Sequence, residues 1–358
     1  MNLPSTSDKE KAEFLKDVCA FANAGGGTII FGIKEYEGSA DEIVTITAET
    51  SDGAQRRLGQ MLDAGIEPRL SGLRFTSVEI DDGYVLRLEI TPSFGTPYRY
   101  LFNGHSKFVV RNNTHTTELT YSQIRQAFDQ SSSLLVQARA DWQRRVEGVM
   151  RGETWKPMKD TPLAIIRLTP LAGLSGEVGI DVHKAQEDFA GFTFPDWWGG
   201  SRTYNLDGLV VYPGSSEPLA AYTQIYRSGI METIRNIGHP WQEDLIIPST
   251  TISDFIRSAI IKFGSKAPQY KIFGPAIINV ALLNAEKYKF GVGGNSMFPR
   301  AFSTDRANII LPEVMIEQVA DFENYDDAVK PLLDILWQAF GVDRCLEYNA
   351  NGEWAPKR

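Results

Sequence analysis

One stretch constrains the fold of this chain more than any other: Ala20-Phe21-Ala22-Asn23-Ala24-Gly25-Gly26-Gly27-Thr28-Ile29-Ile30-Phe31-Gly32-Ile33. Upstream of it, Phe14, Leu15, Val18, Phe21 and Ala22 recur at helical spacing and share one face. Ser7 and Glu10 have the spacing of a capping box, so a helix is expected to start at Ser7. Gly25, Gly26 and Gly27 end that helix, because glycine takes left-handed backbone angles without steric cost. Asn23 is placed to hydrogen-bond across the turn. Thr28 to Ile33 then reads as a short, buried, central strand. The order runs helix, glycine, strand. A phosphate loop runs the other way, with its anion on a helix N-terminus, so the glycines do not predict one.

The rest of the chain alternates helix and strand patterns. Lys34 to Glu42 reads as an acidic loop, and Ile43 to Thr47 as a short strand. A helix is expected over Asp52–Ala64, with Arg56 and Arg57 outward. Leu73–Ile80 and Tyr84–Ile90 form a hairpin about Asp81-Asp82-Gly83. A strand follows at Lys107–Arg111, and a helix at Tyr121–Asp129 with Thr120 and Gln123 as its cap. Ser131-Ser132-Ser133 reads as a boundary before a further helix, Leu134–Met150. Its narrow stripe of Leu135, Ala138, Trp142, Val146 and Val149 suits docking on a second domain or on another copy. Later strands are expected at Leu163–Leu168, Ser201–Tyr212, Leu219–Arg227, Ala276–Leu283 and Ala307–Leu311. Helices are expected at Ile252–Phe263, capped near Thr250 or Thr251, and at Ala328–Phe340; Gly291 to Asn295 reads as a loop. The fold class is therefore α+β, with a first domain at 1–130, a linking helix at 131–160 and a second α+β domain at 161–358.

At 358 residues the chain suits about two domains. Its net charge of -9 argues against a protein that coats nucleic acid non-specifically, and leaves room for a local basic groove. Two cysteines, Cys19 and Cys345, give no disulfide framework and fit a reducing cytoplasm. No apolar run is long enough to span a membrane, and the first residues show no signal-peptide pattern.

Ala-Phe-Ala-Asn-x-x-Gly-Gly before an apolar strand ending Gly32-Ile33 resembles the Schlafen AlbA_2 domain, also called a divergent AlbA or putative DNA-binding domain. Ile66-Glu67-Pro68, Thr91-Pro92-Ser93 with Pro97-Tyr98, and Phe108-Val109-Val110-Arg111 resemble three further pieces of it, in order, over roughly 7 to 130. Tyr204-Asn205-Leu206-Asp207-Gly208 resembles a motif in the C-terminal regions of bacterial AlbA_2 proteins. The resemblance implies an AlbA_2-like mixed sheet with flanking helices, RNA or single-stranded DNA as partner, and a setting in phage defence or a stress response. It also implies a rival activity, a ribonuclease acting on structured RNA such as tRNA with Mg or Mn held by three acids. Family nucleases place two of those acids on an element that this chain starts too late to include, and the third falls at Glu35. A metal cage is then incomplete unless a partner protomer supplies ligands, and no cofactor is certain. A second rival is a non-catalytic assembly subunit of a defence complex, and completion by symmetry would make the protein a homo-oligomer.

Phosphate contacts need local cations, and bases need aromatic platforms. The candidates are Arg56, Arg57, Arg69, Arg74, Arg99 with Tyr98 and Tyr100, Lys107 and Arg111, of which Arg111 matches the family's strand arginine. His105, His115, His183 and His239 lack metal-ligand spacing and read as structural or solvated. Trp197-Trp198 reads as core or interface rather than as a base stacker.

Overall fold

The computed structural model describes residues 2–5, 7–36, 39–70, 73–90, 97–113, 115–176, 179–194, 197, 200–214, 217–293, 300–317, 319 and 325–356. The Thr91-Pro92-Ser93 turn, Glu37, Trp198 and Asn295 lie outside them. The chain divides into two compact units, residues 1–135 with 273–275, and residues 136–272 with 276–358.

In the first unit, α1 (Asp8–Asn23) leads into β1 (Gly27–Phe31), β2 (Ile33–Tyr36), β3 (Ser39–Ile43) and α2 (Ser51–Gly65). Then come β4 (Ile66–Glu67), β5 (Leu73–Ile80), β6 (Gly83–Ile90), β7 (Arg99–Phe102), β8 (His105–Asn112) and β9 (His115–Glu118). Ser7 caps α1 as its sequence predicts, its hydroxyl accepting from the Glu10 amide at 3.4 Å. The Glu10 carboxylate reaches instead to the Ser5 amide, at 2.7 Å. Gly25 and Gly26 hold φ of +88° and +91°, and the Gly26 amide returns to the Phe21 carbonyl at 2.8 Å, closing the helix. A Cβ on Gly27 would stand 2.3 Å from Phe21 Cδ1, so glycine is required there by packing.

β1 is not a central strand. It sits at the edge of an antiparallel sheet ordered β1-β6-β5. Ile29 and Phe31 point into the core while Ile30 is 40% exposed. The expected acidic loop is a β2–β3 hairpin, and Gly32, at φ +91°, turns the chain into it. A second sheet, β4-β7-β8-β9, packs on α1. The core beneath includes Leu15, Val18, Phe31, Leu58, Leu62 and Leu86, and Cys19 is fully buried among them.

The expected break at Ser131-Ser132-Ser133 is absent: α3 runs unbroken over Tyr121–Met150. Its start carries the expected capping box, the Gln123 amide on the Thr120 hydroxyl and the Thr120 amide on the Gln123 side chain.

The second unit contains β10 (Leu163–Pro170), α4 (Leu171–Leu174), α5 (Val182–Glu187), β11 (Ser201–Tyr204), β12 (Gly208–Tyr212), β13 (Ala221–Tyr226) and β14 (Met231–Asn236). It continues with β15 (His239–Trp241), β16 (Asp244–Pro248), α6 (Ser249–Lys266), β17 (Ala276–Leu283), β18 (Lys289–Val292), β19 (Arg300–Phe302), β20 (Ile309–Ile310), β21 (Val314–Ile316) and α7 (Tyr325–Gln338). Its main sheet is antiparallel, ordered β11-β12-β13-β14-β10-β17-β20, with β21 also on β17. One face packs on α6 and α7 through Phe255, Phe263, Leu333 and Trp337. On the other face Trp142, Val146 and Val149 of α3 pack against Leu163, Ile165 and Ile234, so that part of the helix stripe is covered by the unit's own sheet.

Three sequence expectations change here. Ser201–Tyr212 is two strands, because Asn205 turns the chain: its side chain accepts from the Gly208 amide at 2.8 Å. α6 begins at Ser249 after Pro248, and the Thr250 hydroxyl is bonded to Glu347 at 2.7 Å rather than capping. Gly291 and Val292 belong to β18 rather than to a loop. Asp181 caps α5 by accepting from the His183 amide, and Trp197 is buried against Phe194.

Candidate nucleic-acid interface

Asn23 organises the first unit. Its Oδ1 accepts from the Tyr98 amide at 2.8 Å, and its Nδ2 donates to the carbonyls of Tyr98 and Val109, each at 2.8 Å. Tyr98 and Val109 continue the β7–β8 register by one position, so the side-chain amide takes the place of a peptide group where that ladder opens. The bonds therefore run to strands 75 and 86 residues away, and not across the glycine turn as the sequence suggests.

Beside this stitch stands Arg111. Its guanidinium lies 5.1 Å from the Phe21 ring centroid and 4.0 Å from Asp17, and its Nε donates to the Asn113 carbonyl at 3.1 Å. Burial raises the Asp17 carboxyl above its ordinary pKa, and Arg111 offsets part of that rise. Asp17 also borders a cavity of about 470 Å³ in the first unit. Glu10, Glu13 and Asp17 of α1 line it, with Leu3, Pro4 and the buried Phe14, Ile29 and Phe31.

The remaining candidates do not assemble into one patch. Cross-strand partners share a sheet face, so Arg99, opposite Phe108, lies on one face of β7–β8. Lys107, opposite Tyr100, lies on the other, with Arg111 two pairs of residues along. Arg99 is bonded to Glu67 at 2.6 Å, and Lys107 to Glu118, which raises the lysine pKa. Arg57 is not outward: it is paired with Glu49 and donates to the Pro4 carbonyl at 2.7 Å. Tyr98 is 3% exposed and offers no stacking face, while Tyr100 is half-buried against the core. Arg69 is paired with Asp63 at 3.0 Å. Arg56 and Arg74 are exposed, Arg74 on the open face of the β1-β6-β5 sheet with Thr76 and Arg87.

Glu35 is exposed on β2, opposite Ala40, beside the Lys34–Glu42 pair. Among the described residues no group of three or more His, Cys, Asp or Glu side chains stands close enough to share a metal ion. The acids present around Glu35 therefore do not fit the oxygen cage that a hard dication needs.

The sequence reading missed a buried ionic network in the second unit. Glu232 of β14 is fully buried, opposite Arg167 of β10. Arg145 of α3 grips it with bonds of 2.8 and 2.9 Å, and also donates to the Tyr222 hydroxyl at 3.0 Å. Burial alone would lower the Arg145 pKa; the Glu232 carboxylate overcomes that and holds it high. Burial pushes the Tyr222 hydroxyl up to about 12. Arg167 donates to Asp141 at 2.5 Å, and its Nε is buried without a partner among the described residues. The available signal was a lone charge inside each apolar run, Arg167 in Leu163–Leu168 and Glu232 after Ile230-Met231.

The first unit is thus an α+β domain built on a helix, glycine turn and strand, with an asparagine locking the helix end to a second sheet. Residues 2–120 match the family model described as Schlafen, AlbA_2, and the chain carries that domain there; the remainder is additional sequence. A crystal structure of the DIP2311 protein from Corynebacterium diphtheriae is 15% identical over 33% of this chain and 19% of that one, with a TM-score of 0.25. The chain therefore spans about a fifth of that protein's length. No curated protein matches. Among the described residues no helix is long and apolar enough to cross a membrane.

Proposed function

We propose that the Schlafen AlbA_2 domain binds RNA or single-stranded DNA through phosphate contacts made by Arg111, helped by the exposed Arg56 and Arg74, and that it binds without cleaving. The observation that carries this reading is the state of Arg111. Its guanidinium is propped on Phe21, and its one ion pair among the described residues, with Asp17, is 4.0 Å long. A planar cation held in place and weakly neutralised is ready for a phosphate. Arg57, Arg99 and Lys107, by contrast, are closed by tight pairs with acids of their own domain. With a net charge of -9 there is no global attraction, so affinity is modest and set by the local contacts.

Fluorescence anisotropy on short single-stranded oligomers across a salt series is the test. Affinity falls as salt rises, and Arg111→Ala weakens every sequence about equally. Absence of any shift at low salt overturns the reading in favour of an assembly subunit. Cleavage of tRNA in Mg²⁺ or Mn²⁺ that disappears in Glu35→Ala replaces it with the ribonuclease. A setting in phage defence or a stress response rests on the family likeness and is checked by phage plating on a deletion strain.

A further inference from the structure

Four polar side chains cross the main sheet of the second unit in one row. Gln224 of β13 stands opposite Glu232 of β14, Glu232 opposite Arg167 of β10, and Arg167 opposite Asn279 of β17. None is more than 4% exposed. Cross-strand partners share a face, and Arg167 bonds to Asp141 of α3, so the row lies on the α3 side. Thr169, two residues on from Arg167, lies on that face and is buried as deeply. The row is satisfied at one end only. Gln224 exchanges hydrogen bonds of 2.8 and 3.2 Å with Asn205, and Glu232 is held by Arg145. At the other end Arg167 Nε has no partner, and neither the Asn279 amide nor the Thr169 hydroxyl makes a hydrogen bond among the described residues. Buried groups of this kind are almost always paired, with protein or with ordered water. There is also room. Trp142, Val146 and Val149 cluster with Leu163 and Ile165, while Asp141, earlier in the helix, reaches Arg167, later in the strand. α3 and β10 therefore run in opposite directions, and one turn further back the buried Ala138 comes to the level of Thr169. The smallest side chain of the helix stripe thus falls where the unpartnered groups gather.

We propose that Arg167 Nε, the Asn279 amide and the Thr169 hydroxyl together bind one internal water molecule, which completes the polar row at its β17 end. The ligand must accept from Arg167, which only donates, and can give or take with the other two. It must also be uncharged. Arg145 and Arg167 are already balanced by Glu232 and Asp141, so an anion buried here would stand uncompensated. Water fits on both counts, since internal waters make about three hydrogen bonds to groups otherwise left unsatisfied. The site belongs to the second unit alone and does not depend on the nucleic-acid reading of the first.

A high-resolution crystal structure of the full chain, soaked in sodium bromide, tests this directly. The expected result is a single water about 2.7–3.2 Å from Arg167 Nε and within the same reach of Asn279 and Thr169. An anomalous bromide peak at that place makes it an anion site and overturns the proposal. A direct bond from Arg167 Nε to the Asn279 side chain, with no water between them, overturns it as well. Oxygen-17 magnetic relaxation dispersion counts long-lived internal waters in solution and needs no crystal. Asn279→Leu holds one fewer than the parent, whereas Asn351→Leu, at an exposed residue of the same unit, leaves the count as it was. Thr169→Val keeps the shape, removes one partner and shortens that water's residence about tenfold. Equal counts in the parent and Asn279→Leu, or an unchanged residence in Thr169→Val, count against the site.

Discussion

Asn23 does with one side chain what a strand residue does with its backbone. It satisfies an amide and two carbonyls at the point where β7 and β8 part. Truncation in Asn23→Ala removes all three bonds, and the expected cost is about 3 kcal/mol. All seven tryptophans follow residue 136 in the chain, so the loss should appear in far-UV circular dichroism before it appears in tryptophan fluorescence. Asp17 makes the opposite prediction. Its native pKa lies above the ordinary 3.8, so its ionised form destabilises the fold, and its contribution worsens as pH rises from about 3.8 through the native value. Asp17→Asn should therefore melt no lower than the parent at pH 7, and any advantage should vanish below pH 3.8. At this scale the sequence was legible where interactions are local, as in the Ser7 cap and the glycine turn. Tyr98 read as a surface aromatic because its burial depends on Cys19 and Asn23, some 75 residues earlier.

Among the elements, α3 shows why composition misleads. Three serines look like a boundary, yet each costs a helix only about half a kcal/mol relative to alanine, and no glycine or proline lies between Tyr121 and Glu147. Amide hydrogen exchange should show protection continuing through 131–133. Ser132→Pro should remove it and cost about 3 kcal/mol, because proline deletes a helical hydrogen bond and clashes with the preceding turn. β1 misread for a related reason. A β-branched run fits a strand buried on both faces, but Thr28 and Ile30 alternate outward, and an edge position tolerates that exposure. The hairpin about Asp81 was legible because turn residues and alternation agree.

At the scale of the whole molecule, the sheet order of the second unit was hidden. β10 comes first in the chain yet lies between β14 and β17, a choice made by long-range packing that no local pattern records. That centre also holds the ionic network. Glu232→Gln keeps the shape and leaves Arg145 without its carboxylate partner, so a loss of about 3 kcal/mol is expected by urea denaturation followed through tryptophan fluorescence. Adding Arg145→Met should return much of it, the signature of a coupled pair. The unbroken α3 has a practical corollary for anyone dissecting the protein. Limited proteolysis attacks chain that can leave its hydrogen bonds, and the junction between residues 135 and 136 lies in mid-helix. A fragment ended at the family match near residue 120 stops before the helix begins, whereas one ended at the serines carries a frayed stump of it.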